Sequence, residues 1–229
     1  MTPMHQQQKA RVSDTRLDVK QLNAWYVQAQ ALFDVSLVVN AGELVVLQGL
    51  NGAGKSSLLQ SLMGIGPRAT GQIEWAGQRI DGWPAHRRAK AGLGFVAEDR
   101  RLFSGLSVQE NLWIAARAES KAAMAHQFDR VLALFPGLGQ MLSRPASQMS
   151  GGEQQMLAIA RTLMTSPRLL LLDEPCEGIA PVLVQALREA LLQLRGEGMS
   201  LLVAEQNDIL AAHADRVLVL TSGRLQAED

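Results

Sequence analysis

One short stretch constrains this chain more than any other part of it. Residues 49–57 read Gly-Leu-Asn-Gly-Ala-Gly-Lys-Ser-Ser, which fits the phosphate-binding loop pattern of glycine, four residues, glycine, lysine and serine. Glycine lacks the Cβ atom that would keep backbone N–H groups away from phosphate oxygens. The lysine adds a positive charge near the outer phosphates, and the serine hydroxyl is a ligand for Mg²⁺. The residues predicted to contact a nucleotide here are Gly49, Asn51, Gly52, Gly54, Lys55, Ser56 and Ser57.

The sequence on either side of this loop supports the same interpretation. Residues 43–48 form a short apolar run of the kind found in buried parallel strands. After the loop, Leu58, Leu59, Leu62 and Met63 recur at helical spacing and would face a core. A strand, a glycine loop and a helix N-terminus aimed at an anion therefore follow in the required order. The alternative, a glycine-rich turn without a ligand, is disfavoured by this context.

The composition indicates a folded domain with a sizeable core. Of the 229 residues, 47% are hydrophobic and 19% are charged, which is too apolar for a disordered chain. The formal net charge is zero, which argues against a nucleic-acid partner bound through bulk charge. No apolar run approaches the roughly 18 residues needed to cross a bilayer. Residues 1–16 are polar and are expected to form a disordered tail.

Cysteine and histidine form no ligand pattern. Cys176 is the single cysteine, so no disulfide can form within the chain and a reducing compartment is expected. Because Cys176 closely follows an acidic pair, a role as a nucleophile is one interpretation. However, no histidine is near it in sequence, so a small buried side chain is the favoured interpretation. The four histidines are scattered, and we expect no metal site built from His and Cys.

The rest of the chain alternates between strand and helix patterns. Strands are predicted at 17–22, 32–39, 71–77, 94–97, 169–172, 200–204 and 216–220, helices at 153–164 and 182–194, and a helical block at 107–145. Trp25 and Tyr26 fall between the first two strands, Gly196 is expected to end the last helix, and the basic run 86–90 is interpreted as a solvated helix face. This alternation indicates an α/β fold with a mostly parallel sheet covered on both sides.

Two adjacent carboxylates are the second candidate feature. Residues 172–175 read Leu-Asp-Glu-Pro at the carboxyl end of the most apolar predicted strand, where ligands bind in open parallel sheets. Asp173 can hold Mg²⁺, directly or through water, and Glu174 can polarise a water for attack on a γ-phosphate. A pair that merely caps the strand is the alternative, and the phosphate loop upstream disfavours it.

A second helix start provides another candidate anion site. Ser150, Gly151 and Gly152 precede the predicted helix 153–164, with the serine as N-cap. Bare backbone N–H groups at a helix start bind anions. Because the phosphate loop already has a ligand, these three residues are candidate contacts to a separate nucleotide. A plain N-cap is the alternative.

These motifs, in this order and spacing, resemble those of ATP-binding-cassette (ABC) ATPases over residues 17–224. The resemblance implies a P-loop NTPase of the RecA-like type, with an N-terminal antiparallel β subdomain. It also implies a helical subdomain inserted at about 99–150 within one domain of residues 17–229. ATP and Mg²⁺ are the implied cofactors.

The resemblance also assigns roles to the remaining site residues. In that family two cassettes form a head-to-tail dimer, so the Ser150 segment of one subunit is expected to close over ATP on the loop of the other. Tyr26 matches the aromatic residue that stacks on adenine. Trp25 is a weaker candidate, and a strand-edge aromatic without a ligand is the alternative.

Two departures from the family pattern narrow the subfamily. Glu98 stands where glutamine is usual, and Gln206 where histidine is usual. With the segment 177–181 they resemble the ATPase subunits of importers for branched-chain amino acids, and of related urea and amide importers. Both residues are expected to sense the γ-phosphate, and Glu98 also to contact Mg²⁺. Because Gln206 cannot become cationic as histidine can, Glu174 is the main candidate base.

The resemblance therefore implies an ATPase subunit that drives an importer for branched-chain amino acids or a related small solute. The implied partners are membrane subunits, docked at residues 99–103, a second ATPase subunit, identical or paralogous, and indirectly a periplasmic or extracellular solute-binding protein. The implied location is the cytoplasmic face of the inner membrane. A soluble cassette ATPase and a nucleotide sensor without turnover are rivals. A small-molecule kinase is disfavoured because the Ser150 segment has no role there.

Overall fold

The computed structural model describes residues 17–116 and 120–226 of the chain, so the predicted tail at 1–16 lies outside it. The strands are β1 (Leu17–Tyr26), β2 (Ala29–Val39), β3 (Leu44–Gln48), β4 (Arg68–Trp75), β5 (Gln78–Arg79), β6 (Leu93–Val96), β7 (Leu169–Asp173), β8 (Ser200–Glu205), β9 (Arg216–Thr221) and β10 (Arg224–Leu225). The helices are α1 (Lys55–Met63), α2 (Ala85–Lys90), α3 (Val108–Ala115), α4 (Lys121–Leu134), α5 (Pro136–Gly139), α6 (Gly151–Leu163) and α7 (Pro181–Gly196).

A six-stranded sheet forms the centre of the fold. Its order is β10-β9-β3-β8-β7-β6, and all pairs are parallel except the edge pair β9–β10. Side chains of β3 point alternately to the two faces of the sheet. Leu44 and Val46 belong to the core formed with α6 and α7. Val45 and Leu47 belong to the core formed with α1. The predicted mostly parallel sheet, covered on both faces, is confirmed.

A smaller antiparallel sheet, ordered β2-β1-β4-β5, covers the α1 side of the domain and confirms the N-terminal β subdomain. One expectation was wrong: Trp25 and Tyr26 do not lie between strands. They belong to β1, where Trp25 pairs with Gln30 and Tyr26 with Ala29. Since cross-strand pairing supplies their backbone partners, β1 continues past the predicted end at residue 22.

The predicted helical block at 107–145 contains α3, α4 and α5. Ser107 begins α3 with a capping box, in which its hydroxyl accepts from the Glu110 N–H and the Glu110 carboxylate accepts from the Ser107 N–H. The two ends of the block meet, because Ser107 bridges to Pro145 and the Val108 N–H donates to the Arg144 carbonyl at 3.0 Å. The chain thus leaves and rejoins the α/β core at one place. The subdomain limits of 99–150 stay a prediction.

The end of α7 differs from expectation. Gly196 is the last helical residue rather than the residue that stops the helix, and Glu197 is the C-cap. Gly198 is the residue that leaves the helix, with φ +91°. Left-handed backbone is what glycine adopts readily after a helix, and here it lies two residues later than predicted.

The prediction that the basic run 86–90 forms a solvated helix face is wrong for Arg88. Arg88 is 3% exposed. Its guanidinium donates to the carbonyls of Ser61 and Leu62 at 2.9 and 2.8 Å, and to those of Asp81 and Trp83 at 2.8 and 2.9 Å. Carbonyls in the last turn of a helix have no partner within it, so Arg88 caps the C-terminus of α1.

We predict that Arg88→Met lowers the free energy of unfolding by about 2–4 kcal/mol, because it leaves several buried carbonyls without donors. The matched control is Lys90→Met on the same helix, where the side chain is exposed; its effect should stay within about 0.5 kcal/mol. Urea unfolding followed by circular dichroism measures both. Equal midpoints for the two variants would contradict the capping role.

Candidate nucleotide site

The glycine loop joins β3 to α1 with no side-chain cap on the first turn of the helix. Gly54, the N-cap, has φ +107°, a conformation that side-chain-bearing residues rarely adopt. A Cβ atom on Gly49 would lie 2.5 Å from the Leu220 carbonyl oxygen, so Gly49 is also required by the approach of β9. The loop therefore turns tightly and leaves the N–H groups at the start of α1 without an intrahelical acceptor.

Lys55 is buried at the base of this loop, with 3% of its surface exposed. Its ammonium group donates to the carbonyls of Gly49 at 2.8 Å and Leu50 at 3.3 Å. It also forms an ion pair with Glu174 at 2.9 Å. The structure thus brings together the predicted phosphate lysine and the predicted base.

Ser56 and Asp173 lie side by side, and the Ser56 hydroxyl donates to the Asp173 carboxylate at 2.9 Å. Burial raises the pKa of Asp173 to about 6. The hydrogen bond from Ser56 opposes this rise, while the charges of Glu174 and Glu98 add to it. Glu98 itself is exposed and lies close enough to act through its charge.

This donor set fits Mg²⁺. The ion usually binds through one or two carboxylates together with phosphate oxygens, and Ser56 with Asp173 offers a hydroxyl and a carboxylate at the phosphate loop. No group of three or more His, Cys, Asp or Glu that could hold a metal occurs within residues 17–116 and 120–226. Phosphate oxygens of a bound nucleotide are the usual further ligands of such an ion.

Glu174 occupies a strained turn directly after β7. Its φ is +46°, in the left-handed region that non-glycine residues rarely adopt. The Glu174 N–H donates to the Ala204 carbonyl of β8 at 2.9 Å. Glu177 lies on the surface three residues further along the chain. Its pKa is raised, chiefly by a hydrogen bond with Glu174.

Tyr26 is anchored to α1 beside the loop. Its hydroxyl donates to the Gln60 side chain at 3.1 Å and lies 3.4 Å from the Ser57 hydroxyl. The ring is partly exposed, at 43% for the residue. This position is compatible with the predicted contact to adenine, and it stays a prediction.

A cavity of about 450 Å³ opens beside the phosphate loop. Its walls include Lys55, Ser56 and Glu174, together with residues that no sequence motif marks. The unpredicted wall residues are Gln30, Ala31, Phe33, Ser222 and Gly223. They come from β2 and from the turn between β9 and β10, so only the tertiary fold brings them to the loop.

Gln206 and Asn51 line a second cavity, of about 370 Å³, on another side of the phosphate loop. Gln206 is exposed at the end of β8. Close by, the Gln48 amide donates to the Asp208 carboxylate at 2.6 Å. The structure thus places the predicted γ-phosphate sensor next to the loop.

Ser150 caps α6 as predicted. Its hydroxyl accepts from the Glu153 N–H at 3.3 Å, and the Glu153 carboxylate accepts from the Ser150 N–H at 2.7 Å. A Cβ on Gly152 would lie 2.3 Å from a Leu183 methyl carbon, which explains that glycine by packing. Ser150 itself is exposed. Its hydrogen bonds to Glu153 share no residue with those of Lys55 and Ser56 at the phosphate loop.

The residues after Glu98 do not all face solvent. The Arg100 guanidinium donates hydrogen bonds to the side-chain oxygens of Gln155 at 3.2 Å and Gln154 at 3.4 Å, and these attach it to the first turns of α6. Arg101 is exposed and pairs only locally with Asp99 at 2.9 Å. Of the two arginines in the predicted dock, only Arg101 presents its charge at the surface.

Two further residues lie behind the acidic pair. Cys176 is 5% exposed within the core, which confirms the interpretation as a small buried side chain, and burial raises the pKa of its thiol. Glu205 is 1% exposed, accepts from the Cys176 N–H at 2.9 Å, and has a pKa raised by burial. Sequence reasoning missed Glu205, because nothing in the pattern marks a carboxyl at a strand end as buried.

The fold and the site together define a P-loop nucleotide-binding domain. Residues 32–177 match the model of the family described as "ABC transporter". The chain belongs to this family, and accordingly it binds ATP with Mg²⁺ and hydrolyses ATP.

Similar proteins support the same assignment. The chain is 44% identical over 214 residues to the high-affinity branched-chain amino acid transport ATP-binding protein BraG of Pseudomonas aeruginosa, covering 93% of this chain and 92% of BraG. It is 33% identical to the lipopolysaccharide export system ATP-binding protein LptB of Escherichia coli, covering 92% and 89%. A solved ATP-binding subunit of an ABC transporter superposes with a TM-score of 0.82 at 30% identity, covering 94% and 90%.

We predict that Asp173→Asn stabilises the nucleotide-free protein above pH 6. A folded-state pKa of about 6, against 3.8 ordinarily, means that folding disfavours the ionised form. The associated stability is present at low pH and is lost as the pH rises through 6. Asparagine carries no ionisable group, so the Asp173→Asn variant avoids this loss of stability. Its free energy of unfolding at pH 7.5 should exceed that of the wild type by about 1–3 kcal/mol, and the difference should shrink towards pH 5.

Thermal unfolding in EDTA at the two pH values measures this gain. Asp129→Asn, at an exposed position on α4, is the matched control and should show no such pH dependence. A gain that is equal at both pH values would contradict the burial of an ionisable Asp173.

Proposed function

We propose that this protein is the ATPase subunit of an importer for branched-chain amino acids. The observation that carries the proposal is the 44% identity to BraG across nearly the full length of both chains. The identity to LptB, whose name refers to export of lipopolysaccharide, is lower at 33%, so the proposal follows BraG for both the solute and the direction of transport. Urea or short amides are the alternative solutes, and a soluble cassette ATPase is a more distant one.

The site geometry supports a division of roles among the predicted residues. Lys55 and the loop N–H groups would bind the β- and γ-phosphates, and Ser56 with Asp173 would hold Mg²⁺. Glu174 would orient the attacking water and accept its proton, because its carboxylate lies at the loop beside Lys55. Magnesium, when bound, neutralises charge that develops on the phosphates.

The remaining predicted residues would complete the site around this centre. Glu98 and Gln206 would sense the γ-phosphate, Glu98 also through the metal, and Tyr26 would stack on adenine. ABC ATPase subunits dimerise and work with membrane subunits. We propose the head-to-tail form, in which Ser150, Gly151 and Gly152 of one copy contact ATP on the other. Both an identical and a paralogous second subunit fit this arrangement.

A peripheral position at the membrane follows from the family, and within the described residues no helix could span a bilayer. We place the protein on the cytoplasmic face of the inner membrane. There it would serve a solute-binding protein on the outer side only indirectly.

The segment 99–103 is our proposed dock for a membrane subunit. Phe103 is 49% exposed although aromatic, and the guanidinium of Arg161 lies 5.4 Å from its ring centre. The exposed charge of Arg101 lies two residues away. An exposed aromatic beside a surface charge is typical of protein contact surfaces.

We predict that Glu174→Gln binds ATP and dimerises but loses at least about 100-fold in ATP hydrolysis, because the amide cannot accept a proton from water. In cells lacking the native protein, this variant should fail to restore leucine uptake. Glu189→Gln, at an exposed carboxyl on α7, is the matched control and should retain both activities.

Phosphate release by the purified protein and labelled-leucine uptake by complemented cells give the two readouts. Unchanged turnover in Glu174→Gln would refute the role of Glu174. Normal leucine uptake in cells that lack the protein, with lost urea uptake, would replace the proposed solute by the alternative one.

We predict that Arg101→Glu and Phe103→Ala each reduce co-purification with membrane subunits and transport-coupled hydrolysis, while the isolated subunit keeps its basal ATPase. Arg79→Glu is the matched control, because Arg79 is equally exposed and also pairs with an aspartate two residues away, Asp81. Affinity purification from native membranes measures the association. Full retention of the membrane subunits by both dock variants would overturn the docking proposal.

A further inference from the structure

Glu205 is a buried carboxyl to which the roles above assign no task. It is the last residue of β8, is 1% exposed, and lies in register with Gln48 of β3. β8 runs between the strand that leads into the phosphate loop and the strand that ends at the acidic pair. Because burying a carboxyl is unfavourable, an apolar residue would be the usual occupant of such a position.

The contacts of Glu205 connect it to the turn that carries Glu174. Its Oε1 atom accepts from the backbone N–H of Cys176 at 2.9 Å. One residue earlier, the Ala204 carbonyl accepts from the Glu174 N–H at 2.9 Å. The turn of residues 174–176 is therefore held at both ends by the last two residues of β8.

This restraint matters because the turn is strained. The φ of +46° at Glu174 is one that a residue with a side chain keeps only when its surroundings impose it. The same turn directs the Glu174 carboxylate to within 2.9 Å of the Lys55 ammonium group. If the N–H of Cys176 lost its acceptor, the turn could relax and the Glu174 carboxylate would move away from the loop.

Glu205 also precedes Gln206 directly, so the side chain that fixes the turn and the backbone that leads to the candidate phosphate sensor belong to adjacent residues. We propose that Glu205 is a positioning residue for ATP hydrolysis, whose carboxyl oxygen holds the Glu174 turn through the Cys176 N–H. The proposal rests on the proposed function only for the role of Glu174 as base.

Three substitutions separate the hydrogen bond from the charge and from packing. Glu205→Gln keeps a carbonyl oxygen at the same reach but removes the charge. Glu205→Asp keeps the charge but is one methylene shorter, so its oxygen falls short of the Cys176 N–H. Glu205→Leu keeps the bulk without either, and an apolar replacement of a buried carboxyl is often well tolerated by the fold.

The expected result is a split between kcat and KM. Glu205→Gln should retain kcat within about twofold, while Glu205→Asp and Glu205→Leu should lose about tenfold or more, since small misplacements of a reacting group have effects of that size. The KM and the affinity for ATP should change less than about twofold in all three, because the bonds of Lys55 to the loop carbonyls and of Ser56 to Asp173 involve neither Glu205 nor Glu174. Melting temperatures recorded alongside identify any loss of kcat that follows from unfolding.

Glu43→Asp serves as the matched control. Glu43 is also a largely buried glutamate, 8% exposed, that accepts a backbone N–H, from Asn40 at 2.7 Å, but it lies at the opposite end of β3. Shortening it should change stability and leave kcat as it is. A wild-type kcat in both Glu205→Asp and Glu205→Leu would overturn the proposal. A loss of kcat in Glu205→Gln as large as the loss in the other two variants would overturn it as well.

The Glu174→Gln background keeps this proposal distinct from the proposed function. If Glu205 acts through Glu174, adding Glu205→Leu to Glu174→Gln should not reduce the residual hydrolysis further. A further loss of about tenfold in that double variant would show that Glu205 acts elsewhere. If Glu174→Gln alone hydrolyses ATP normally, the role of the base fails first, and the Glu205 single variants still report on the turn.

Discussion

The parallel pairing of β3, β8 and β7 is the constraint on which the rest of the structure depends. Its register sets Gln48 beside Glu205 and Ala204 beside Asp173, so three strands end at the same level of the sheet. The phosphate loop starts from one of these ends and the acidic turn from another, which is why Ser56 meets Asp173 at 2.9 Å. A slip of one residue would shift an end by about 3.3 Å and reverse the side-chain faces.

The same register concentrates carboxyl groups around one buried cation. Lys55 lies between the loop carbonyls and Glu174, while Asp173 and Glu177 have raised pKa values, Asp173 chiefly through burial and Glu177 chiefly through its bond to Glu174. Such carboxyls gain from added positive charge and would repel a bare polyphosphate. The electrostatics therefore favour a nucleotide that arrives with a divalent cation over the free nucleotide, in agreement with the oxygen donors at Ser56 and Asp173.

Local patterns predicted most of this arrangement. The glycine loop, the apolar face of α1 and the Ser150 cap each depend on residues within a turn or two of one another, so spacing alone is informative. The order of the strands and the cavity wall formed by Gln30, Phe33 and Gly223 depend on contacts between distant segments. Periodicity carries no information about which strands become neighbours, and these features followed only from the structure.

Neighbouring residues of the same type show where sequence reasoning ends. Arg87 is exposed and its guanidinium lies 3.8 Å from the ring centre of the half-buried Trp83, while Arg88 is buried against helix carbonyls. Arg101 pairs with Asp99 at the surface, while Arg100 donates to side chains of α6. Charge predicts exposure because a buried ion loses its hydration, but several hydrogen bonds to fixed acceptors offset that loss. The acceptors of Arg88 include two carbonyls at the end of α1, and those of Arg100 are two side chains in the first turns of α6; both helices are far away in sequence. Whether a charged side chain is buried therefore depends on the tertiary structure that supplies its hydrogen-bond partners. Glu205 follows the same rule, because its partner is a backbone N–H in the turn after β7.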